Sequence, residues 1–195
     1  MDTMGRVLVL GATGGIGGET AQALRAAGWQ VRALARRPPA DAGGLEWVQG
    51  DALQADDVRR AAQGCAVIVH AVNPTGYRDW QRQVLPMIDH SIAAARAAGA
   101  TLVLPGTVYN YGPDAFARLQ VDAPQHPLTR KGALRVAMEQ RLQAASARGT
   151  PVIILRMGDF FGPRPGNNWF SQGLVKAGQP VRRVIDPGTR GVGHQ

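Results

Sequence analysis

Apolar residues along this chain fall into short solid runs, separated by longer stretches with helical spacing. Val7-Leu8-Val9-Leu10 is the first run, and without polar alternation it predicts a strand buried on both faces. Similar runs follow at 30–35 (QVRALA), 45–49 (LEWVQ), 66–70 (AVIVH), 101–104 and 151–155 (PVIIL). Helices are predicted between them at 18–27, stopped by Gly28, at 55–63, closed by Gly64, and at 78–98. Pro86 inside the third predicts a kink or a restart. Residues 114–128, with Pro124 and Pro127, read as loop, and a last long helix spans 129–148 with a basic final turn that suits the helix dipole. Strand and helix alternate without a repeating period, which predicts an α/β fold: a doubly wound parallel sheet of the Rossmann type with helices on both faces. After Arg156 the texture changes to a loop-rich 158–166, a helical 169–177, a short strand at 181–185 and a tail without a capping element. The expected division is therefore 1–156 and 157–195.

The first strand runs into Gly11-Ala12-Thr13-Gly14-Gly15-Ile16-Gly17. Gly11 permits the tight turn off the strand, Gly14 or Gly15 lets a pyrophosphate approach the backbone, and Gly17 lets the helix pack closely. The helix start aims unpaired N–H groups and partial positive charge at phosphate. The strand–glycine–helix–strand context points to a bound dinucleotide, with Thr13 and Ile16 in the same loop as cofactor contacts.

Composition narrows the picture. A chain of 195 residues, 45% apolar and 18% charged, suits one core or one domain with part of another. No apolar run is long enough for a bilayer span, and the chain enters its first strand at once, so no membrane segment and no signal peptide are expected. A single cysteine, Cys65, fits a reducing cytoplasm and is expected to be buried ahead of a strand. The net charge of +8 invites a nucleic-acid reading. Against it, Arg25, Arg59, Arg60, Arg96, Arg141 and Arg148 are dispersed over several helices, without an aromatic-studded basic stripe. No nucleic-acid partner and no metal site are expected.

In this fold an acidic residue ending the second strand binds the ribose 2′-hydroxyl of NAD. Ala35 stands near that position and Arg36-Arg37 follow it, a pair suited to a 2′-phosphate. NADP is thus favoured, with NAD the alternative; the two arginines also read as a surface pair before a turn. Asp51, beside Ala52, either accepts a hydrogen bond from the adenine amino group or begins a turn. His70-Ala71-Val72-Asn73 lies at a strand's carboxyl end, where open α/β sheets bind ligands. Ala71, Val72 and Asn73 are therefore cofactor candidates, and His70 is read as a packed or hydrogen-bonded histidine.

Together these residues resemble the short-chain dehydrogenase/reductase superfamily, in particular its extended branch of NAD(P)-dependent epimerases, dehydratases and reductases. The resemblance rests on Gly11, Gly14 and Gly17; Gly50-Asp51; His70-Ala71; Val108-Tyr109 with Tyr111-Gly112; and Leu155-Arg156 before Phe161-Gly162-Pro163. It implies hydride transfer on a small carbonyl or hydroxyl substrate, with a nucleotide-sugar, a flavonoid-like ketone and a terpenoid all open. It also implies that 1–156 is the nucleotide-binding domain and that 157–195 only begins the substrate lobe. Apolar surface left open there, including Trp169 and Phe170, would be covered by a second chain, as a homo-oligomer, or remain mobile.

The family's chemistry rests on a Tyr-x-x-x-Lys pair preceded by a Ser or Thr. By the spacing from Pro127 and Glu139, Lys131 stands at the tyrosine position and Arg135 at the lysine position, with Thr107 as the upstream hydroxyl. Three readings stay open. Lys131 is the acid/base, with Arg135 disfavouring its charged form; or Tyr109 or Tyr111 supplies the hydroxyl; or the chain binds nucleotide without catalysis, as a sensor or regulatory relative. Lys131 and Arg135 also read as a basic helix face that anchors cofactor ribose and phosphate.

Overall fold

The computed structural model describes residues 4–74, 79–115, 118–160, 180 and 182. Contacts divide the chain into Met1–Met157 and Gly158–Gln195, and the fold below is that of the first unit. The expected helix at 169–177, the strand at 181–185, Trp169 and Phe170 lie outside the described residues.

Six strands form one parallel sheet: β1 (Arg6–Leu10), β2 (Gln30–Ala35), β3 (Glu46–Gln49), β4 (Val67–His70), β5 (Thr101–Thr107) and β6 (Val152–Met157). Their order is β3-β2-β1-β4-β5-β6. β1 lies at the centre because it has no polar side chain after Arg6, and it pairs with β2 on one edge and β4 on the other. The strand order reverses there, so the carboxyl ends of β1 and β4 open a crevice at the switch point.

The described helices are α1 (Gly15–Ala26), α2 (Ala55–Ala62), α3 (Trp80–Ala98) and α4 (Arg130–Ala147). Side chains of β1 alternate between two cores. Leu8 and Leu10 join Ile68, Leu102 and Leu104 beneath Val58 of α2, Val84 and Ile88 of α3, and Met138 and Leu142 of α4. Val7 and Val9 point the other way, toward Val31, Ala33, Val69 and Ala21 of α1. Each large side chain buried this way contributes about 1.5–3 kcal/mol.

The differences from the sequence reading have local causes. α1 begins at Gly15, three residues earlier than expected, with Gly14 as its N-cap, so the glycine loop itself forms the first helical turn. β5 does not stop before Pro105 but runs on to Thr107. Its pairing with β4 ends at Val103–Val69 while its pairing with β6 continues. Thr101 donates to Ala66 and Leu102 to Pro151, so by alternation the Pro105 nitrogen faces the β4 side, where no ladder bond is lost. α3 continues through Pro86 as one element, held on both sides of it by buried Val84, Met87 and Ile88. Arg148 is the C-cap of α4, and the last helical turn contains no basic residue. Cys65 is buried as expected, where desolvation pushes its thiol up.

Candidate functional site

The loop from β1 into α1 is shaped for close approach. Gly11 has φ of 90°, and a Cβ there would lie 2.6 Å from the Ala71 carbonyl oxygen and 2.8 Å from the Val72 Cα. The turn leaving β1 is thus pressed against the segment leaving β4, and only glycine fits. A Cβ on Gly17 would overlap the Gly11 carbonyl oxygen. Gly14 closes the turn by donating to that oxygen at 2.9 Å. Thr13, Gly14, Gly15 and Ile16 are exposed, and the Gly14 N-cap brings no side chain over the helix start. Gly15, Ile16 and Gly17 then carry the first-turn N–H groups that an α-helix leaves without internal acceptors. That cradle fits a dinucleotide pyrophosphate.

At the outer end, Arg36 and Arg37 are exposed after Ala35, and among the described residues their side chains have no hydrogen bond or ion pair. Asp51 is held in a turn: its N–H donates to Asp57 Oδ2 at 2.9 Å, and its Oδ1 accepts from the Leu53 N–H at 3.0 Å. The Asp51 N–H, with Arg60 second, holds the Asp57 carboxyl below its usual range. The neighbouring Ala52 is buried, and its carbonyl is 3.0 Å from His90 Nδ1.

At the inner end, α4 delivers two cations to the carboxyl edge of the sheet. Thr129 caps α4 by accepting from the Gly132 N–H at 2.9 Å. A Cβ on Gly132 would lie 2.6 Å from Pro127 and would overlap the Tyr109 carbonyl oxygen, so glycine lets α4 seat against the 3-10 turn Val108–Asn110 that follows β5. Lys131 Nζ consequently lies 4.5 Å from the Tyr109 ring centroid and 5.4 Å from that of Trp80, within cation–π range. One turn further, Arg135 is only 7% exposed. Its guanidinium lies 5.0 Å from the Trp80 centroid, and Nη2 donates to Asn73 Oδ1 at 3.1 Å. The structure thus brings Lys131, Arg135, Tyr109 and Asn73 together, with Ala71 and Val72 beside Gly11.

Two hydroxyls have other partners. Thr107 Oγ1 accepts from the Tyr109 N–H at 2.9 Å, capping the 3-10 turn. Tyr111 is buried, donating to the Gln120 carbonyl at 3.3 Å and accepting from Arg156 at 2.7 Å. The Tyr111 oxygen is thus engaged inside the fold, whereas the Tyr109 ring is exposed. His70 is 2% exposed, with Nδ1 2.7 Å from Ser91 Oγ. Ser91 donates to the Met87 carbonyl, so His70 Nδ1 is the donor to Ser91.

Beneath this edge lies a polar network. Glu139, 1% exposed, accepts from Arg156 at 2.8 Å and from Gln125 Nε2 at 2.9 Å, and Gln125 accepts from Asn110. Arg156 also donates to the Val121 carbonyl at 2.7 Å. Together these bonds tie the segment after β5 to α4 and β6. Glu139 served the sequence reading only as a spacing marker. Trp80, Gly132 and Gln125 had no role in it, although a glycine at the third position of a helix capped by Thr129 is a legible sign of close packing. Among the described residues no group of three or more His, Cys, Asp or Glu could hold a metal ion, and no described helix is long and apolar enough to cross a membrane.

A profile of the NAD dependent epimerase/dehydratase family matches residues 7–178. The chain belongs to that family. It is 35% identical over 183 residues to a 3-diazoavenalumate denitrifying reductase from Streptomyces sp, covering 83% of this chain and 58% of the relative. It is 31% identical over 175 residues to dTDP-6-deoxy-L-talose 4-dehydrogenase (NAD(P)(+)) from Kitasatospora kifunensis, covering 84% and 55%. The chain therefore spans little more than half the length of these curated relatives. Among solved structures, MoeE5 in complex with UDP-glucuronic acid and NAD superposes with a TM-score of 0.66 at 26% identity, over 78% of this chain and 53% of that one. The fold and the glycine cradle are those of an NAD(P)-type dinucleotide-binding domain.

Proposed function

We propose that this chain is the cofactor-binding part of an NADP-dependent oxidoreductase or epimerase acting on a small carbonyl or hydroxyl substrate, with Lys131 as the proton-transferring group. One observation carries the reading: α4 sets Lys131 over the Tyr109 ring in the turn after β5, and the spacing from Pro127 and Glu139 supports reading the same residue as the counterpart of the family's tyrosine. When bound, the nicotinamide supplies or accepts the hydride. Lys131 would give a proton to, or take one from, the substrate oxygen. Arg135, tied to Asn73, would hold the segment leaving β4 in place for the cofactor. Residues 1–156 are read as the nucleotide-binding domain and 157–195 as the beginning of a substrate lobe. The sugar-nucleotide names of two relatives support a nucleotide-sugar among the candidate substrates.

NADP preference is supported by Ala35 and by the open guanidinium groups of Arg36 and Arg37; the solved relative holds NAD, so cofactor choice would rest on this strand end.

Turnover of NADPH across a panel of carbonyl compounds, nucleotide-sugars included, tests the assignment. Lys131→Met is expected to abolish turnover on any substrate found while NADP affinity stays within a few fold. Arg135→Met is expected to weaken cofactor binding instead. Undiminished turnover in Lys131→Met would overturn the catalytic role and move the sensor reading ahead.

A further inference from the structure

Beside Lys131 lies a cavity of about 650 Å³ between the starts of α3 and α4. Among the described residues its wall carries Arg82, Arg130 and Lys131 against one carboxylate, Asp79, with Trp80 and Leu134 as apolar lining. A volume of this order accommodates a small organic molecule.

Asp79 is the N-cap of α3, but the remaining charges at the two helix starts are cations. Neither α3 nor α4 has an acidic residue in its first turn, although a helix start carries partial positive charge and favours anions. Arg130 and Lys131 instead open α4, and Arg82 sits in the first turn of α3. Among the described residues the Arg82 and Arg130 side chains have no ion pair or hydrogen bond. Both are exposed, so neither is there to satisfy a buried partner. A concave surface with three cations facing one carboxylate focuses positive potential into its interior, and guanidinium groups pair with oxyanions through two parallel hydrogen bonds.

We infer that this cavity is the substrate's anion subsite: the protein takes a small organic oxyanion, a carboxylate or a phosphate ester, held by Arg82 and Arg130. Its body would rest on the Trp80 and Leu134 lining, and its reacting end would lie beside Lys131. The inference rests on the reading of Lys131 as the group at the reactive end of the cofactor, and it excludes neutral ketones and alcohols as good substrates.

Calorimetric titration of the full chain, with and without saturating NADP, tests it using benzoate, phenyl phosphate and neutral benzamide as probes. An anion is expected to bind about tenfold or more tightly than benzamide, and its affinity should fall with added salt. Arg82→Gln together with Arg130→Gln should reduce anion affinity by about tenfold or more, with an unchanged thermal melt and unchanged NADP affinity. Tighter benzoate identifies the carboxylate as the natural group; tighter phenyl phosphate identifies the phosphate. Benzamide binding as well as benzoate, no anion binding at all, or full anion affinity in the double variant would each overturn the inference. If NADP still binds in those cases, the cofactor reading stands and only the subsite falls. If anions bind and NADP does not, the cofactor reading is what fails.

Discussion

Ala35 presents a methyl group at the end of β2, where an acid would accept from a ribose hydroxyl, and Arg36 and Arg37 follow it into solvent. A 2′-phosphate offers those guanidinium groups charge-assisted hydrogen bonds that a 2′-hydroxyl cannot. Such bonds contribute about 1.5–3 kcal/mol, or about ten- to a hundredfold in affinity. Arg36→Ala/Arg37→Ala should therefore lose NADP affinity on that scale and leave NAD affinity nearly unchanged, as titration with both cofactors would report. Equal affinity of the unaltered chain for NAD and NADP would refute the preference. On α4 the two cations are not interchangeable either. The longer planar guanidinium of Arg135 stacks on Trp80 and still reaches Asn73, whereas the Lys131 ammonium, a compact charge, rests over the Tyr109 face.

At the scale of elements, what was legible in the sequence was local. The β1 run and the glycines after it specify the turn, the cradle and α1 within one short stretch, so pattern alone places them. Thr129 signals the start of α4 for the same reason: its cap bond is to Gly132. The extension of β5 through Pro105 was hidden because it depends on where β4 stops pairing. The Glu139–Arg156 pair was hidden because its partners are brought together only by the β5–α4–β6 crossover. Two predictions follow from this packing. Gly132→Ala should push α4 off the Val108–Asn110 turn; overpacking of this kind costs about 1–3 kcal/mol, and urea denaturation should show it together with reduced turnover. Glu139→Ala leaves Arg156 facing an emptied, water-poor site, and breaking such a pair costs about 3–5 kcal/mol. A change below about 1 kcal/mol would mean that solvent replaces the carboxylate there.

For the molecule as a whole, pH should act on stability through His70. Its side chain closes β4 opposite Leu10, inside the core. Burial first, and the positive charge of Arg135 second, push its pKa down from 6.5 to about 3. The imidazole therefore stays neutral in the folded protein across the physiological range, donating Nδ1–H to Ser91. Unfolding returns it to water, where it takes up a proton below about pH 6.5. Between about pH 6.5 and 3 the unfolded chain binds the extra proton, so this group's contribution to stability falls as pH falls through that window, approaching about 1.4 kcal/mol per pH unit. Above pH 6.5 the group adds no slope. Asp57, with its carboxyl lowered, works in the same direction but only below the ordinary carboxylate range. Cys65, with its thiol raised from 9.0, withdraws stability only as pH climbs past 9.0. Urea denaturation from pH 8 to 4 should give a plateau above about 6.5 and a declining acid limb, and His70→Gln should flatten the upper part of that limb whatever it costs at neutral pH. NMR titration of the His70 ring gives the same answer without a variant, and a midpoint near 6.5 in the folded protein would contradict it.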